Sequence, residues 1–377
     1  MQHNSKHIFW FLLLLLMGAC EEPYMPREIV MPNRYLVVTG FINSGGDTTT
    51  IRLSRTQNLS DDSGPTVETG ADVWIEGERG ERFNLKEDLP GTYVHSGSDM
   101  SNLGRCRLRI RTAGKDYASE FVAINRTPPI DSVSWKADDS GLNVYVNTHD
   151  PQNQTRYYRW EYDEAWEYLS TYYAELEFAD GAVRPRTAES EEIYRCFQFN
   201  KPSVIKLGNS IKLSEDRISE AQLLRIPAVS NKLMSRYSIL VKQYALTKEE
   251  FEYWDILKRN TETMGTLFDP LPSQLTGNIA NLSDPTEIVI GYIGAYSVEE
   301  KRLFINKAEL PGRWRRPSTS CFLDTIKTNE APFYLEHEIY LPVTEHIELD
   351  KLMGYIISSR SCVDCRQYGT NVKPSYW

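Results

Sequence analysis

The chain has 377 residues, of which 41% are hydrophobic, and carries a net charge of −10 at pH 7. This length and apolar content suffice for more than one hydrophobic core, and the length alone favours two domains. Because the chain is acidic and contains no Lys/Arg-rich stretch, it is a poor candidate for binding nucleic acid.

Residues 1–19 predict an export signal. Lys6 gives a weakly basic start, and residues 8–16 form an apolar run of nine. Such a run is too short to cross a bilayer, which takes about 20 helical residues, but it fits the apolar part of a signal peptide, about 7–15 residues. The following Met-Gly-Ala-Cys resembles the lipobox of bacterial lipoproteins. The resemblance implies cleavage before Cys20 and acylation of its thiol and amino group, and several acyl chains hold a protein to a membrane. The alternative is an ordinary signal peptide followed by a chance cysteine, or a buried apolar N-terminus.

Glu21 and Glu22 directly follow the predicted lipidation site. Acidic residues at this place resemble the export signal of Bacteroidota lipoproteins. The resemblance implies that the protein is lipid-anchored in the outer membrane and faces the cell exterior. Residues 20–33 are then a lipidated tether. The alternative is a tether that is acidic only because it is solvated.

Residues 34–126 predict a first domain made of short strands. "RYLVVTGFI", "TTTIRLSRT", "ADVWIEGE" and "RCRLRIRTAG" are separated by turn signals, a spacing typical of a β-sandwich. In "RCRLRIR", Cys106, Leu108 and Ile110 alternate with arginines, which predicts a strand with its apolar face inward. We therefore expect Cys106 to be a buried free thiol.

Pro128 and Pro129 interrupt the strand pattern, since proline cannot donate a ladder hydrogen bond. The sequence therefore predicts a domain boundary here and a second, mainly β domain over residues 130–377. The expected fold class is mainly β, with two immunoglobulin/fibronectin-like sandwiches in tandem.

One helix is predicted inside the second domain, over about residues 247–264. Thr247 and Glu250 have the spacing of a capping box, and Gly265 marks the end. Phe251 and Trp254 begin an apolar stripe that we expect to pack on the protein's own sheet. A partner groove is the alternative.

Residues 157–173 contain eight aromatics and are the richest binding candidate. Tyr158 and Trp160 alternate with charged residues, which favours a core strand. Trp166, Tyr172 and Tyr173 are placed beyond that strand. They are the candidates for exposed contacts with a ligand or partner.

No catalytic residue, cofactor or metal site is predicted. The motifs of zinc proteases, serine hydrolases, P-loop proteins and dinucleotide-binding proteins are missing. The acidic pairs Glu249–Glu250 and Glu299–Glu300 are interpreted as solvated surface charge. A catalytic set could still form from residues distant in the sequence.

The spacing Cys362-x-x-Cys365 indicates a structural disulfide more than a redox or zinc site. Zinc would need further ligands at suitable spacing, and a redox motif normally opens a helix after a strand. The bond would dock the two C-terminal aromatics against the second domain. The alternative is a long-range pairing, in which Cys196 or Cys321 bonds to one of these two cysteines. The number of cysteines in the mature chain does not exclude it.

The segment at 270–305, "PLPSQLTGNIANLSDPTEIVIGYIGAYSVEEKRLFI", is interpreted as a glycine-interrupted core hairpin, with a ligand-binding loop as the alternative. With the lipobox, "YLVVTGFIN" and the ending "CVDCRQYGTNVKPSYW", it resembles the Bacteroidota lipoprotein family known as domain of unknown function 4249, over nearly the whole mature chain. That family has no established activity. Its members tend to be encoded near TonB-dependent receptors, which implies a role beside transport.

The expected function is a non-enzymatic accessory of a TonB-dependent transporter, or a protein that binds the substrate of the transporter, with the ligand itself unknown. A surface hydrolase acting on polymers before import, or a structural or adhesive surface protein, are the alternatives. Three sites, Thr48, Ser132 and Thr325, follow an aspartate. This pattern resembles the acceptor of Bacteroidota O-glycosylation, so glycans are expected there.

Overall fold

The computed structural model describes residues 34–57, 64–97, 100–262, 275, 277–314 and 320–377. The protein is mainly β, with 51% strand and 11% helix, which confirms the predicted class. None of the helices in these ranges is both long and apolar enough to span a bilayer. Cys20, Glu21 and Glu22 lie outside the described residues, so the lipid anchor and the export signal stay predictions.

The described residues contain 25 strands and three α-helices. The strands are β1 (Leu36–Asn43), β2 (Thr49–Arg55), β3 (Thr66–Val67), β4 (Asp72–Gly77), β5 (Arg82–Leu89), β6 (Thr92–His95), β7 (Arg105–Thr112), β8 (Lys115–Ser119), β9 (Val122–Asn125), β10 (Ile130–Ala137), β11 (Gly141–His149), β12 (Tyr157–Leu169), β13 (Leu176–Ala179), β14 (Ala182–Pro185), β15 (Arg195–Asn200), β16 (Lys206–Asn209), β17 (Arg217–Pro227), β18 (Arg236–Leu246), β19 (Ile279–Asn281), β20 (Val289–Ile290), β21 (Ala295–Tyr296), β22 (Glu299–Asn306), β23 (Asp324–Lys327), β24 (Tyr340–Glu348) and β25 (Lys351–Ser359). The helices are α1 (Lys248–Glu262), α2 (Ala331–Leu335) and α3 (Arg360–Val363).

The N-terminal strands form a sheet that closes on itself. Eight strands are neighbours in the order β7–β4–β5–β6–β2–β1–β21–β9, and β9 pairs back onto β7. Cys106, Leu108 and Ile110 all face the enclosed core, and Cys106 is a free thiol, as predicted. The expected first sandwich is not what the structure shows. The alternation of apolar and polar residues predicts one buried face per strand, and both a sandwich and a closed sheet have this feature. The sheet closes only through β21, which comes from a distant part of the chain.

Residues 277–296 return from the second half of the chain to the first sheet. β20 and β21 run parallel to β1, and β19 pairs with β8. The predicted hairpin is therefore wrong, and this part of the segment assigned to the second domain pairs with the first sheet instead. Glycine permits this insertion: a Cβ on Gly277 would lie 1.8 Å from the carbonyl oxygen of Gly291, and one on Gly291 (φ +136°) would lie 2.1 Å from that of Val38.

The second body is built from two antiparallel sheets. One has the order β10–β11–β17, and the other has the order β15–β12–β18–β22, with β16 also paired to β12. Their inner faces share one core, so the two sheets pack as two layers. Tyr158 and Trp160 are fully buried in it, as their alternation predicted, and the Trp160 indole donates to Gln243 Oε1 at 2.8 Å. An immunoglobulin-like connectivity stays a prediction.

Helix α1 begins where the sequence predicts. The backbone N–H of Glu250 donates to Thr247 Oγ1 at 3.2 Å, the bond expected of an N-cap threonine. The helix is described to Glu262, so the end expected near residue 264 is outside the described residues. Phe251 and Trp254 pack in an aromatic cluster with side chains from both bodies: Tyr157, Leu207 and Tyr244 of the two-layered body, and Phe41 and Tyr296 of the closed sheet. The helix therefore joins the two bodies.

Two long-range disulfides hold the C-terminal part of the chain. Cys196 is bonded to Cys365, and Cys321 is bonded to Cys362. The predicted Cys362–Cys365 disulfide is therefore wrong. Cys362 lies in α3 and Cys365 in the turn after it, and each pairs with a different segment of the chain.

The C-terminus docks on the second body, as predicted, although a different disulfide holds it there. The ring of Trp377 lies 5.3 Å from that of Phe197 and 5.7 Å from that of Phe304. The guanidinium of Arg302 lies 3.7 Å from the ring centre of Tyr376. These contacts hold the aromatic ending, which would otherwise fray, although Tyr376 stays 41% exposed.

Candidate functional site

The three aromatic residues singled out in the sequence lie in different environments. Trp166 lies within β12, not beyond it, and is half-buried, with its indole donating to Gln198 Oε1 at 2.6 Å. Tyr172 is also half-buried, and its hydroxyl donates to the carbonyl oxygen of Cys321 at 3.1 Å. Tyr173 is 62% exposed. Of the three, Tyr173 alone offers a largely free surface.

A larger apolar surface lies at one end of the sheet formed by β23, β25 and β24. Asp324 at the start of β23 pairs with Ile357, and Tyr340 at the start of β24 pairs with Ser359. The residues that begin these two strands therefore lie on either side of the same end of β25, about 10 Å apart. Six exposed apolar side chains surround this end of the sheet, and we call them the aromatic face: Phe322, Leu323, Phe333, Tyr334, Ile339 and Tyr340.

The aromatic face contains strongly exposed rings and has acidic neighbours. Phe322 and Phe333 are 75% and 79% exposed, and the Phe333 ring contacts that of Tyr334 at 5.1 Å. Glu336 and Glu338, which follow α2, are exposed beside them. Clustered apolar side chains with a polar edge are typical of a surface that another protein covers.

The disulfide Cys321–Cys362 joins the residue before Phe322 to α3, and Cys196–Cys365 ties the segment after α3 to strand β15 of the second body. Cys321 directly precedes Phe322. Tyr172 forms hydrogen bonds with the backbone of both cysteines of the Cys321–Cys362 disulfide. Its backbone N–H donates to the carbonyl oxygen of Cys362 at 3.0 Å, in addition to the hydroxyl bond to Cys321. A surface held in this way loses little conformational entropy when a partner binds it.

Asp364, between the two C-terminal cysteines, is fully buried and braces this segment. It accepts bonds from Arg366 Nε at 2.8 Å and Arg360 Nε at 3.1 Å. Burial works against ionisation, but the bonds from Arg366 and Arg360 outweigh it and lower the pKa of Asp364. Sequence reasoning missed this role, although an aspartate between two cysteines and two arginines was a signal for it.

A cleft of about 680 Å³ lies where the closed sheet meets the two-layered body; we call it the junction cleft. Its walls connect across the junction, since Asn125 Nδ2 donates to the carbonyl oxygen of Ala245 at 3.3 Å. It is lined by residues 124–129, 150–152, 154–157 and 245–248 and by Glu299.

Next to the cleft, the first turn of α1 buries a carboxylate. Glu250 is 2% exposed, and its Oε1 accepts bonds from Tyr296 Oη at 3.2 Å and Trp254 Nε1 at 3.3 Å. Its Oε2 has no hydrogen-bond partner among the described residues. Burial raises the pKa of Glu250 to about 7, against the opposing charge of Arg159 and these two bonds. The interpretation of Glu249–Glu250 as solvated charge is therefore wrong for Glu250, which lies on the buried stripe of the helix.

The three predicted glycosylation sites differ in access. Thr48 and Thr325 are exposed, whereas Ser132 is half-buried and accepts a bond from Asn147 Nδ2 at 3.0 Å. Within the part of the chain that the structure describes, no group of three or more His, Cys, Asp or Glu side chains could hold a metal ion.

A family model described as a domain of unknown function, DUF4249, matches residues 21–302. The match spans the closed sheet, most of the two-layered body and every residue of the junction cleft. It ends before the aromatic face, although the sequence resemblance was expected to run nearly to the C-terminus. No curated protein matches the chain.

Proposed function

The chain belongs to the DUF4249 family, and we propose that it is a non-enzymatic lipoprotein of the bacterial outer-membrane surface that assists a TonB-dependent transporter. The lipobox-like sequence ending at Cys20 and the acidic pair after it support the location. The family resemblance supports the link to transport. Docking on the transporter is the accessory role, and binding of its substrate is considered separately below.

The aromatic face is the observation that carries this proposal. It presents exposed rings on a segment fixed by two disulfides. A protein tethered by lipid moves in the plane of the membrane, so its natural partner is another membrane protein. Since the face lies beyond the matched family segment, it would select the partner of this particular chain.

Replacing Phe322 and Phe333 together with serine should abolish capture of the transporter. The few side chains that dominate an interface cost about 2 kcal/mol or more each when truncated, so we expect at least a tenfold loss of co-purified transporter. Both side chains are more than 70% exposed, so the fold should be unaffected. The measurement is a pull-down from native membranes in mild detergent, with the captured protein identified by mass spectrometry.

Leu89→Ser is the matched control, because Leu89 is 63% exposed but lies on the closed sheet. It should capture the transporter as well as the unaltered protein does. Equal capture by the double variant, or capture that includes no TonB-dependent transporter, would refute this role.

Cys20→Ser should move the protein from the membrane fraction to the soluble fraction. The expected anchor is the acylated thiol and amino group of Cys20, and serine at this position gives no thiol to modify. Cell fractionation with immunoblotting measures the effect. Cys106→Ala is the control and should remain with the membrane. If Cys20→Ser also remains there, the lipoprotein assignment fails.

A further inference from the structure

The junction cleft contains three cations that are poorly neutralised. Arg126 is exposed and makes no hydrogen bond or ion pair within the described part of the chain. Arg156 donates to the carbonyl oxygen of Leu213 at 3.4 Å, a neutral partner. Lys248 lies 3.7 Å from Glu252 on the outer surface of α1, an exposed pair of little strength.

The lining also contains two carboxylates, which leaves the cleft a formal charge of +1. Asp150 is occupied by its own turn: its oxygens accept the backbone N–H groups of Gln152, Gln154 and Thr155 at 2.8–2.9 Å. Glu299 is the other carboxylate among the lining residues. Three cations in one cleft are notable in a chain whose net charge is −10.

The remaining lining groups suit a polar ligand. The side-chain amides of Asn125, Gln152 and Gln154 line the cleft beside the cations. A volume of about 680 Å³ falls within the range of small-molecule sites, about 300–1,000 Å³, and such sites favour junctions between domains. The guanidinium group pairs with carboxylate and phosphate oxygens through two parallel bonds.

We propose that the junction cleft binds a small polar molecule bearing more than one carboxylate or phosphate group, held by Arg126, Arg156 and Lys248. Carboxylate and phosphate groups both present anionic oxygens, and the titration described below distinguishes the two. This deepens the proposed function, since such a ligand would be the substrate handed to the transporter. The purified protein is sufficient for the test, so its outcome does not depend on the transporter.

Isothermal titration calorimetry of the purified full-length protein tests the site with three probes. Citrate carries carboxylates, pyrophosphate carries phosphates, and glucose is the neutral comparison. We expect saturable binding of one molecule of citrate or pyrophosphate per chain and no binding of glucose. The preferred anion identifies the oxyanion type. If neither anion saturates, the proposal is overturned.

Substitutions of the cleft arginines test whether the anion binds in the junction cleft. Arg126→Ala and Arg156→Ala should each raise Kd at least tenfold, and Arg126→Lys should retain part of the affinity. Arg79→Ala is the matched control, because Arg79 is an exposed arginine on the closed sheet outside the cleft. A loss as large in Arg79→Ala, or no loss in the cleft variants, would show general charge attraction and refute the site. Transporter capture should be unchanged in the cleft variants, so either proposal can fail without the other.

Discussion

Replacing Cys196 and Cys365 together with alanine is expected to lower the free energy of unfolding by about 5 kcal/mol. The two cysteines are 169 residues apart, and the loop-closure model assigns a stabilisation of this size to so long a loop. Both half-cystines are fully buried, so alanine also removes packing. The segment that carries Tyr376 and Trp377 should then detach.

Chemical denaturation without reductant measures this loss. Cys106→Ala is the control, because Cys106 is buried but unpaired and its loss costs only packing. Peptide mapping of unreduced protein should recover Cys196 linked to Cys365. Recovery of a Cys362–Cys365 peptide, or unchanged stability of the double variant, would contradict the pairing.

Glu250→Gln is expected to stabilise the protein at pH 8 by about 3 kcal/mol and to change little near pH 4.5. The pKa of Glu250 is about 7 in the folded protein and near 4.5 when the chain is unfolded. A difference of this size corresponds to about 3 kcal/mol. Glutamine keeps an oxygen for the donors Tyr296 and Trp254 but cannot ionise.

The sign follows from proton binding. Between about pH 4.5 and pH 7 the folded chain holds a proton on Glu250 that the unfolded chain has released, so raising the pH lowers the stability. Below this window the group contributes no pH dependence, and above it the cost of a buried charge is fully present. Arg159 offsets only part of the cost, because it already donates to Glu161 Oε1 at 2.6 Å.

Unfolding measured from pH 4 to pH 9 tests this expectation. Glu249→Gln is the matched control, since Glu249 is the exposed neighbour on the same helix and should keep the pH dependence of the unaltered protein. A Glu250→Gln protein with the same slope as the unaltered protein between pH 4.5 and pH 7 would show that Glu250 is not the responsible group.

Features that depend on residues close together in the sequence, such as helix caps and buried strand faces, were predictable. The cap at Thr247 and the inward face of Cys106, Leu108 and Ile110 follow from hydrogen bonding and alternation within a few residues. The burial of Glu250 was also readable, because it precedes Trp254 by one helical turn and so shares its face. The adjacent Glu249 made the pair resemble solvated surface charge, and this similarity hid the helical position of Glu250.

Long-range partners were not predictable, since a short motif does not contain them. Cys362 and Cys365 are close in sequence, yet their partners are 41 and 169 residues away. The aromatic face was missed for the same reason: Phe322 and Tyr340 come together only through pairing with β25. Trp166 and Tyr172 were favoured for exposure, but contacts with Gln198 and Cys321 partly cover them.

The return of residues 277–296 to the first sheet sets the order in which the protein can mature. Residues 34–126 emerge from the export machinery before β21, so β1 and β9 each keep one unpaired edge until some 170 further residues have followed. Exposed edges of this kind recruit other strands and promote aggregation. The N-terminal body therefore completes its fold late, and a holding chaperone would find its binding site on those two waiting edges.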